Sequence, residues 1–487
     1  MVYDTDARAF RYHNGTSWVL MAPRQQSLAD APGAFSTVPV GGTASLYSYY
    51  IPSGRTKIAA DGSLYFIAAM STGTVSFGST SLSNAAGYSA LIAKMDSTGS
   101  PLWMKMLPSS ATATVSIFDL DVDVSGNLYV GGSFTGTVDF NPGLAVNNLA
   151  SAGGYDAFVA KYDAAGNYVW AQRYGGTGYE SLKSICTDGT IVYMAGDHTG
   201  TFTYGASSAT VNGTGQNVFL ARAQASDGLP GASGWIRTAY TSTNAAASIR
   251  VKLYGGSVLW CGHFYGTLSF PTSGFSKTTA GGQDCFFALY NSFGGTSSSN
   301  TVAFGGTNTD YVYDMATSPL GNIYLCGYFS GTIAFGGYTL TTTSTNSNGY
   351  VVSYNSSLAP QNVYRYGGSV GFDACYGIAT DNAGNVYVGG TNNSTDVNIH
   401  GRSTSSGISY SSAFLLKLTP DLYYPYWFQL ADGVSSYYSD FINGLDVSPD
   451  GKKLFSTISA GETNGIIGFD GQRVPTPNYF YISFYKE

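Results

Sequence analysis

Carboxylate side chains recur at one position of a sequence repeat, where they could bind a cation or a polar sugar. When the repeats are aligned on a turn glycine, acids stand at this position in four of them: Glu180, Asp310, Asp373 and Asp440. If the repeats form a ring, these acids surround one mouth of its central channel. A carboxylate there can also accept backbone N–H groups and fix a loop, so a binding role and a structural role both remain open.

Aromatic side chains beside these acids offer a second kind of binding surface. Tyrosine presents a flat apolar face and a hydroxyl group, which suits glycan or protein recognition. The tyrosines that we assign to the same rim are Tyr179, Tyr311, Tyr437 and Tyr438. With the four acids they form the predicted binding site, although tyrosine is frequent in the whole chain and packing must use many of its copies.

No sequence pattern specific to a catalytic or metal centre accompanies the four histidines. The patterns His-Glu-x-x-His and Cys-x-x-Cys do not occur. The segment Asp119 to Asn127 resembles a calcium loop, but Gly132 stands where a bidentate glutamate is needed. We therefore predict no catalytic residue, no metal site and no cofactor, and expect that the protein is not an enzyme.

The five cysteines are better explained by packing than by chemistry. They are Cys186, Cys261, Cys285, Cys326 and Cys375. Most of them align with glycine or alanine in other repeats, and a buried free thiol behaves as a small apolar group. We expect five unpaired, buried thiols.

The elements that must position these residues are repeated β-strands. The turn glycine recurs every 63 to 67 residues, and its positions are Gly62, Gly126, Gly189, Gly255, Gly321, Gly384 and Gly451. Each repeat contains about four strand-like segments, such as "DAFVAKYD" from Asp156 to Asp163. Repeats of this size and strand content predict an all-β protein, a seven-bladed β-propeller.

The composition is typical of a β-strand protein, and it argues against nucleic-acid binding and membrane insertion. Gly 63, Tyr 39 and Phe 27, with only 10% charged residues, favour strands joined by turns. The net charge of -7 and the lack of a basic run disfavour nucleic acid. The apolar runs fall far short of the roughly 20 residues that span a bilayer, so we expect no membrane insertion, and the first residues lack the pattern of a secretory signal.

The last repeat lacks its fourth strand, which the beginning of the chain can supply. We predict that about Phe35 to Gly42 forms the outer strand of the last blade and closes the ring, because pairing the two ends removes open sheet edges. The predicted domains are therefore residues 1–34, a small β-hairpin anchor segment with a linker, and residues 35–487, the propeller.

The repeats resemble a known family. "GNLYVGGSFTGTVDF" from Gly126 and "DNAGNVYVGGT" from Asp381 are similar to the seven-bladed β-propeller repeats of bacterial surface and secreted proteins. This resemblance implies a fold and no single activity.

The N-terminal segment has a different resemblance. "VYDTDARAFRYHNGTSWVLM" contains Asn14-Gly15, a strong hairpin signal, and is similar to segments of bacteriophage tail-fibre and other virion proteins. The resemblance implies anchoring to other virion proteins through residues 1–34. The apolar residues that we assign to this contact are Tyr3, Phe10, Tyr12 and Trp18.

These observations together predict a non-enzymatic virion surface protein, a tail fibre or an appendage of head or tail. It would be a homo-oligomer or present in many copies, and would attach to a host-surface glycan or protein. Two alternatives remain: a purely structural or decoration protein of the virion, and a secreted bacterial propeller, extracellular or on the cell surface, that acts as a lectin or a polysaccharide-active enzyme.

Overall fold

The chain folds as a β-propeller built almost entirely of strands. The computed structural model describes the side chains of residues 55–85, 87–110, 112–204, 216–243, 246–342, 346–394, 412–423, 425–426 and 441–458, and beyond these ranges only the backbone of some strands. The helical content of this described part is one 3-10 turn, Ser298–Asn300. No helix in it is long and apolar enough to span a membrane.

Antiparallel sheets, which we name A to G, follow one another along the chain. From the innermost to the outermost strand, the first four contain the following strands. Sheet A has Thr56–Ile58, Leu64–Met70, Ser89–Met95 and Pro101–Leu107, with Leu46–Tyr47 as a further strand; sheet B has Thr114–Val122, Leu128–Thr135, Asp156–Tyr162 and Tyr168–Tyr174; sheet C has Glu180–Thr187, Ile191–His198, Asn217–Gln224 and Trp235–Thr241; sheet D has Ala245–Tyr254, Ser257–Tyr265, Asp284–Tyr290 and Thr301–Gly306.

The remaining sheets repeat the pattern. Sheet E has Asp310–Thr317, Ile323–Ser330, Ser347–Tyr354 and Pro360–Tyr366; sheet F has Ala374–Thr380, Val386–Asn392, Ser412–Leu418 and Pro425–Gly433; sheet G has Phe441–Val447, Lys453–Ser459, Phe480–Lys486 and, from the start of the chain, Ala34–Val38. A short hairpin follows the second strand of each sheet. These hairpins are Gly73–Phe77 with Thr80–Asn84, Thr137–Asp139 with Asn148–Ala150, Thr201–Tyr204 with Ser207–Thr210, Thr267–Phe270 with Phe275–Thr278, Thr332–Phe335 with Tyr338–Thr341, Asn398–Ile399 with Arg402–Ser403, and Ile466–Ile467 with Arg473–Val474.

Six blades are recognised in this propeller, whereas the sequence predicts seven. Sheet A is the irregular member. Its innermost strand, Thr56–Ile58, has three residues, and Leu46–Tyr47 pairs separately with the end of the next strand. The innermost strands of the other sheets have seven to ten residues. A repeat can therefore be read in the sequence without forming a regular four-stranded blade.

The backbone before residue 55 contains further strands. Val2–Asp4, Ala9–His13 and Trp18–Leu20 form an antiparallel sheet. Within the predicted closing segment, Ala34–Val38 pairs with Phe480–Lys486, while Gly41–Gly42 pairs with the hairpin strand Gly73–Phe77 instead.

The core lies between neighbouring sheets, because each sheet buries both faces. Between sheets B and C, Tyr129 and Trp170 pack with Leu182 and Met194. Tyrosine hydroxyls add hydrogen bonds across these junctions: Tyr65 Oη of sheet A donates to the Gly126 carbonyl of sheet B at 2.8 Å. Large side chains with one polar end thus fill each junction and fix the turn beyond it.

The innermost strands of sheets B to G share a β-bulge that sets which side chains enter the central channel. In sheet E the bulge lies between Val312 and Asp314, and a Cβ atom on Gly327 of the second strand would lie 1.8 Å from the Tyr311 carbonyl oxygen. The same geometry occurs at Gly132 in sheet B. This close approach explains the second glycine of the recurring "YVGG"-like strand.

Candidate functional site

The predicted rim acids are fully buried where they are described. Glu180 and Asp310 begin the innermost strands of sheets C and E, and Asp373 immediately precedes that of sheet F. Asp440, Tyr437 and Tyr438 lie outside the described residues.

Each of these three carboxylates accepts backbone N–H groups of the loop that enters its strand. The Gly176 N–H donates to Glu180 Oε2 at 2.8 Å, and the Gly306 N–H donates to Asp310 Oδ2 at 2.7 Å. Asp373 accepts the Gly368 N–H at 3.1 Å through Oδ2, and through Oδ1 it also accepts the N–H of Asn393, beyond the second strand of sheet F, at 2.8 Å. These contacts match the structural role that the sequence left open; the ligand-binding role of the acids stays a prediction.

Two of the acids face a second buried carboxyl group. Glu180 neighbours Asp156, and Asp310 neighbours Asp284. Burial, together with the neighbouring carboxylate, raises the pKa of Glu180 to about 7 and that of Asp310 to about 8. Burial also raises the pKa of Asp284 to about 6. One carboxyl of each pair is therefore protonated over much of the neutral range.

Aromatic rings, from fully buried to exposed, form a continuous group beside Asp310, which we call the rim aromatic cluster. Its members are His263, Tyr311, Tyr313, Tyr328, Phe372 and Tyr376. Ring centroids lie 4.4 Å apart for His263 and Tyr311, 5.0 Å for Tyr311 and Tyr328, and 5.0 Å for Tyr328 and Phe372. Phe372 is 37% exposed, so the cluster reaches the surface.

Of this cluster, only Tyr311 belongs to the predicted site. The other predicted and described tyrosine, Tyr179, packs on Tyr155 at 5.3 Å, and both are 37% exposed. The remaining members of the cluster come from sheets D, E and F, so nothing local in the sequence joins them. The sequence signal for the rim aromatic cluster is the alternation in "DYVYD", which places Tyr311 and Tyr313 on one face of the strand.

The middle of the channel is filled by a buried ion-pair network that the sequence did not reveal. Arg250 binds Asp119 through Nη1 at 2.8 Å and Asp314 through Nε at 2.6 Å. Arg55 lies 3.2 Å from Asp314 and 4.0 Å from Asp119. These four side chains come from sheets A, B, D and E and are no more than 6% exposed. Although burial opposes ionisation, Arg250 and Arg55 lower the pKa of Asp314.

Toward the C-terminal ends of the innermost strands the channel widens into a cavity of about 390 Å³. Its polar lining includes Lys57, Asp121, Lys252 and Asp446. Lys57 Nζ lies 3.3 Å from Asp121, and Asp446 accepts the Ile58 N–H at 2.8 Å.

The cysteines and the calcium-like segment have structural roles. All five cysteines are free and buried, which confirms the packing interpretation. Asp123 closes a tight turn by accepting the N–H groups of Ser125 and Asn127, each at 2.9 Å. Among the described residues, no group of three or more metal-ligating side chains is gathered.

Several solved structures are similar to this chain at low identity. Hydrazine synthase of Kuenenia stuttgartiensis is 12% identical, with 83% of this chain and 92% of that chain covered and a TM-score of 0.41. A europium-containing methanol dehydrogenase is 10% identical, with 93% of each chain covered and a TM-score of 0.37. A putative hydrolase from Bacteroides ovatus is 8% identical, with coverages of 57% and 79% and a TM-score of 0.27. No protein-family model and no curated protein matches the chain.

The names of these proteins correct one expectation. The sequence led to the prediction that the protein is not an enzyme, yet the propellers that it resembles include a synthase and a dehydrogenase. The likeness carries no particular activity to this chain.

Proposed function

We propose that this chain is a virion surface protein that displays a β-propeller and attaches to a host-surface glycan or protein through the rim aromatic cluster. The observation that carries the proposal is the cluster itself, a row of packed rings that reaches the surface at Phe372. The virion context rests on the resemblance of the N-terminal segment to tail-fibre and virion proteins.

The chemistry of the cluster suits a sugar or a protein loop. Aromatic faces pack against the C–H faces of a pyranose ring, while tyrosine hydroxyls donate and accept hydrogen bonds. Because the rings of Tyr311 and Tyr328 already pack at 5.0 Å, little side-chain entropy is lost when a ligand binds. Weak single contacts of this kind become strong when many copies are displayed together.

We further propose that the propeller is a ring closed by pairing between the two ends of the chain. Outer strands pair with the hairpin of the following unit at equivalent places: Gly305–Gly306 with Ile333 and Ala334, and Tyr240–Thr241 with Leu268 and Ser269. The pairing of Gly41–Gly42 with Val75 and Ser76 has the same form. The segment after Ala34–Val38 therefore behaves as the outer strand of a unit that precedes sheet A, which is the arrangement that closure requires.

In this proposal residues 1–34 contact another virion protein. The strands Val2–Asp4, Ala9–His13 and Trp18–Leu20 make a sheet too small to be stable alone, which favours a partner surface. The side chains proposed for this contact, Tyr3, Phe10, Tyr12 and Trp18, lie outside the described ones.

Binding of host capsular polysaccharide or whole host cells to the purified protein tests the attachment role. We expect binding that falls at least tenfold in the Tyr311→Ala/Tyr328→Ala variant. Phe293→Ala is the control, because Phe293 is 82% exposed and lies outside the cluster. Equal binding by all three proteins would contradict the role of the cluster.

The same incubation also tests for cleavage. New reducing ends with the wild-type chain would show a polysaccharide-active enzyme. Their absence together with cluster-dependent binding would support attachment without cleavage.

A further inference from the structure

A second binding site follows from the cavity at the C-terminal ends of the innermost strands, away from the rim aromatic cluster. We propose that this cavity binds a small oxyanion, a phosphate or carboxylate group, with Lys252 as its main contact. The inference does not depend on the attachment function.

Four cations and four acids line the cavity, and the pairing among them singles out Lys252 as the contact for an anion. Lys57 has a carboxylate partner in Asp121 at 3.3 Å. The Asp446 carboxylate accepts hydrogen bonds from the N–H groups of Ile58 and Val447, at 2.8 and 3.1 Å. Within the described part of the chain, Lys252 forms no ion pair with a carboxylate, although it lines the same cavity.

Burial and neighbouring charges of both signs act on Lys252. Burial, followed by repulsion from Lys57 and Arg250, lowers the pKa of Lys252, and these effects exceed the attraction of Asp314 and Asp121. Asp119 and Asp314 bind Arg250 directly. An anion beside Lys252 would stabilise its charged form against burial.

The cavity is large enough for such a ligand. Its volume of about 390 Å³ exceeds that of a phosphate group and would also admit the small molecule that carries it. The hydroxyl groups of Thr187, Thr317 and Thr380 and the Asn382 side chain also line the cavity. These groups provide hydrogen-bonding partners for the oxygens of an anion.

Titration calorimetry with inorganic phosphate and with malonate, at pH 7 and low ionic strength, tests the proposal. We expect Lys252→Met to weaken binding at least tenfold, and Lys277→Met, which removes an exposed lysine of a hairpin, to leave it unchanged. Asp121→Asn should tighten binding severalfold, because it frees Lys57 while its amide oxygen still accepts the Thr187 N–H. A gain of affinity cannot be produced by partial unfolding.

A second measurement covers the case in which Lys252→Met fails to fold. In the wild-type chain with 13C-methylated lysines, the Lys252 resonance should shift with phosphate at lower concentration than that of Lys277. No binding of either anion by the wild-type chain, or an unchanged Lys252 resonance at saturation, would overturn the proposal. Preference for phosphate or malonate distinguishes the two ligand classes.

Discussion

Replacing Arg250 by methionine should strongly destabilise the propeller, because Arg250 neutralises two buried carboxylates. Its contacts with Asp119 and Asp314 are 2.8 and 2.6 Å long, and the three side chains are 3 to 6% exposed. In Arg250→Met, both acids would share Arg55, which leaves one net negative charge buried. Removal of one partner from a buried ion pair costs about 3–5 kcal/mol, and we expect a loss of that size in the free energy of unfolding.

A second variant separates the charge effect from the loss of packing. Asp314→Asn alone leaves two arginines with one acid, and should cost a similar amount. The double variant Arg250→Met/Asp314→Asn retains one cation, Arg55, and one anion, Asp119, so the buried charge is balanced again. We expect its cost to be below the sum of the single costs by about 1–3 kcal/mol.

Urea unfolding followed by tryptophan fluorescence measures these free energies. Arg365→Met is the matched control, because Arg365 is exposed and donates only to the Thr341 carbonyl at 3.3 Å. Its effect should stay within about 0.5 kcal/mol. A cost below about 1 kcal/mol for Arg250→Met, or strictly additive costs in the double variant, would refute the network as described.

Two further predictions concern the bulge and the buried carboxyl pairs. Gly327→Ala should lower the free energy of unfolding by about 3 kcal/mol, because its Cβ would lie 1.8 Å from the Tyr311 carbonyl oxygen. Gly337→Ala is the control in the same unfolding assay and should cost little, because no atom lies within 4 Å of the added Cβ. Because the pKa of Asp310 is raised to about 8 by burial and by Asp284, the folded state binds the proton more tightly than the unfolded state. The stabilisation from this proton is complete below about pH 4 and is lost as the pH rises toward 8. Asp310→Asn should flatten the fall in unfolding free energy between these pH values, and an unchanged slope would contradict the raised pKa.

The sequence predicts the sheets well because packing between sheets repeats. The predicted strand from Asp156 to Asp163 is observed as Asp156–Tyr162. The second glycine of the "YVGG"-like strand recurs in sheets B to F because the bulge brings a carbonyl oxygen against it. Sheets A and G have Ala68 and Ile458 at this place. This glycine therefore marks most of the repeats but not all of them.

The channel could not be predicted in the same way. The bulge shifts the register in the middle of each innermost strand, so alternation of faces cannot be counted through it. Moreover, Arg55 and Asp314 are 259 residues apart and meet only in the folded chain. The sequence does hold one signal for this ion-pair network. Arg55, Asp119, Arg250 and Asp314 occupy the same aligned position of the repeat, and their charges are of both signs.

Positions that face a neighbouring sheet and positions that face the channel obey different requirements. A sheet face meets a similar face in every junction, so similar apolar and aromatic residues satisfy all junctions, as Tyr65 and Tyr129 do. A channel position instead meets other innermost strands across the axis, where like charges would repel and complementary ones attract. Charges there must differ from repeat to repeat, as Arg250 and Asp314 do on neighbouring strands. For this reason the departures from the repeat, rather than the repeat itself, lead to Lys252, which forms no ion pair within the described part of the chain.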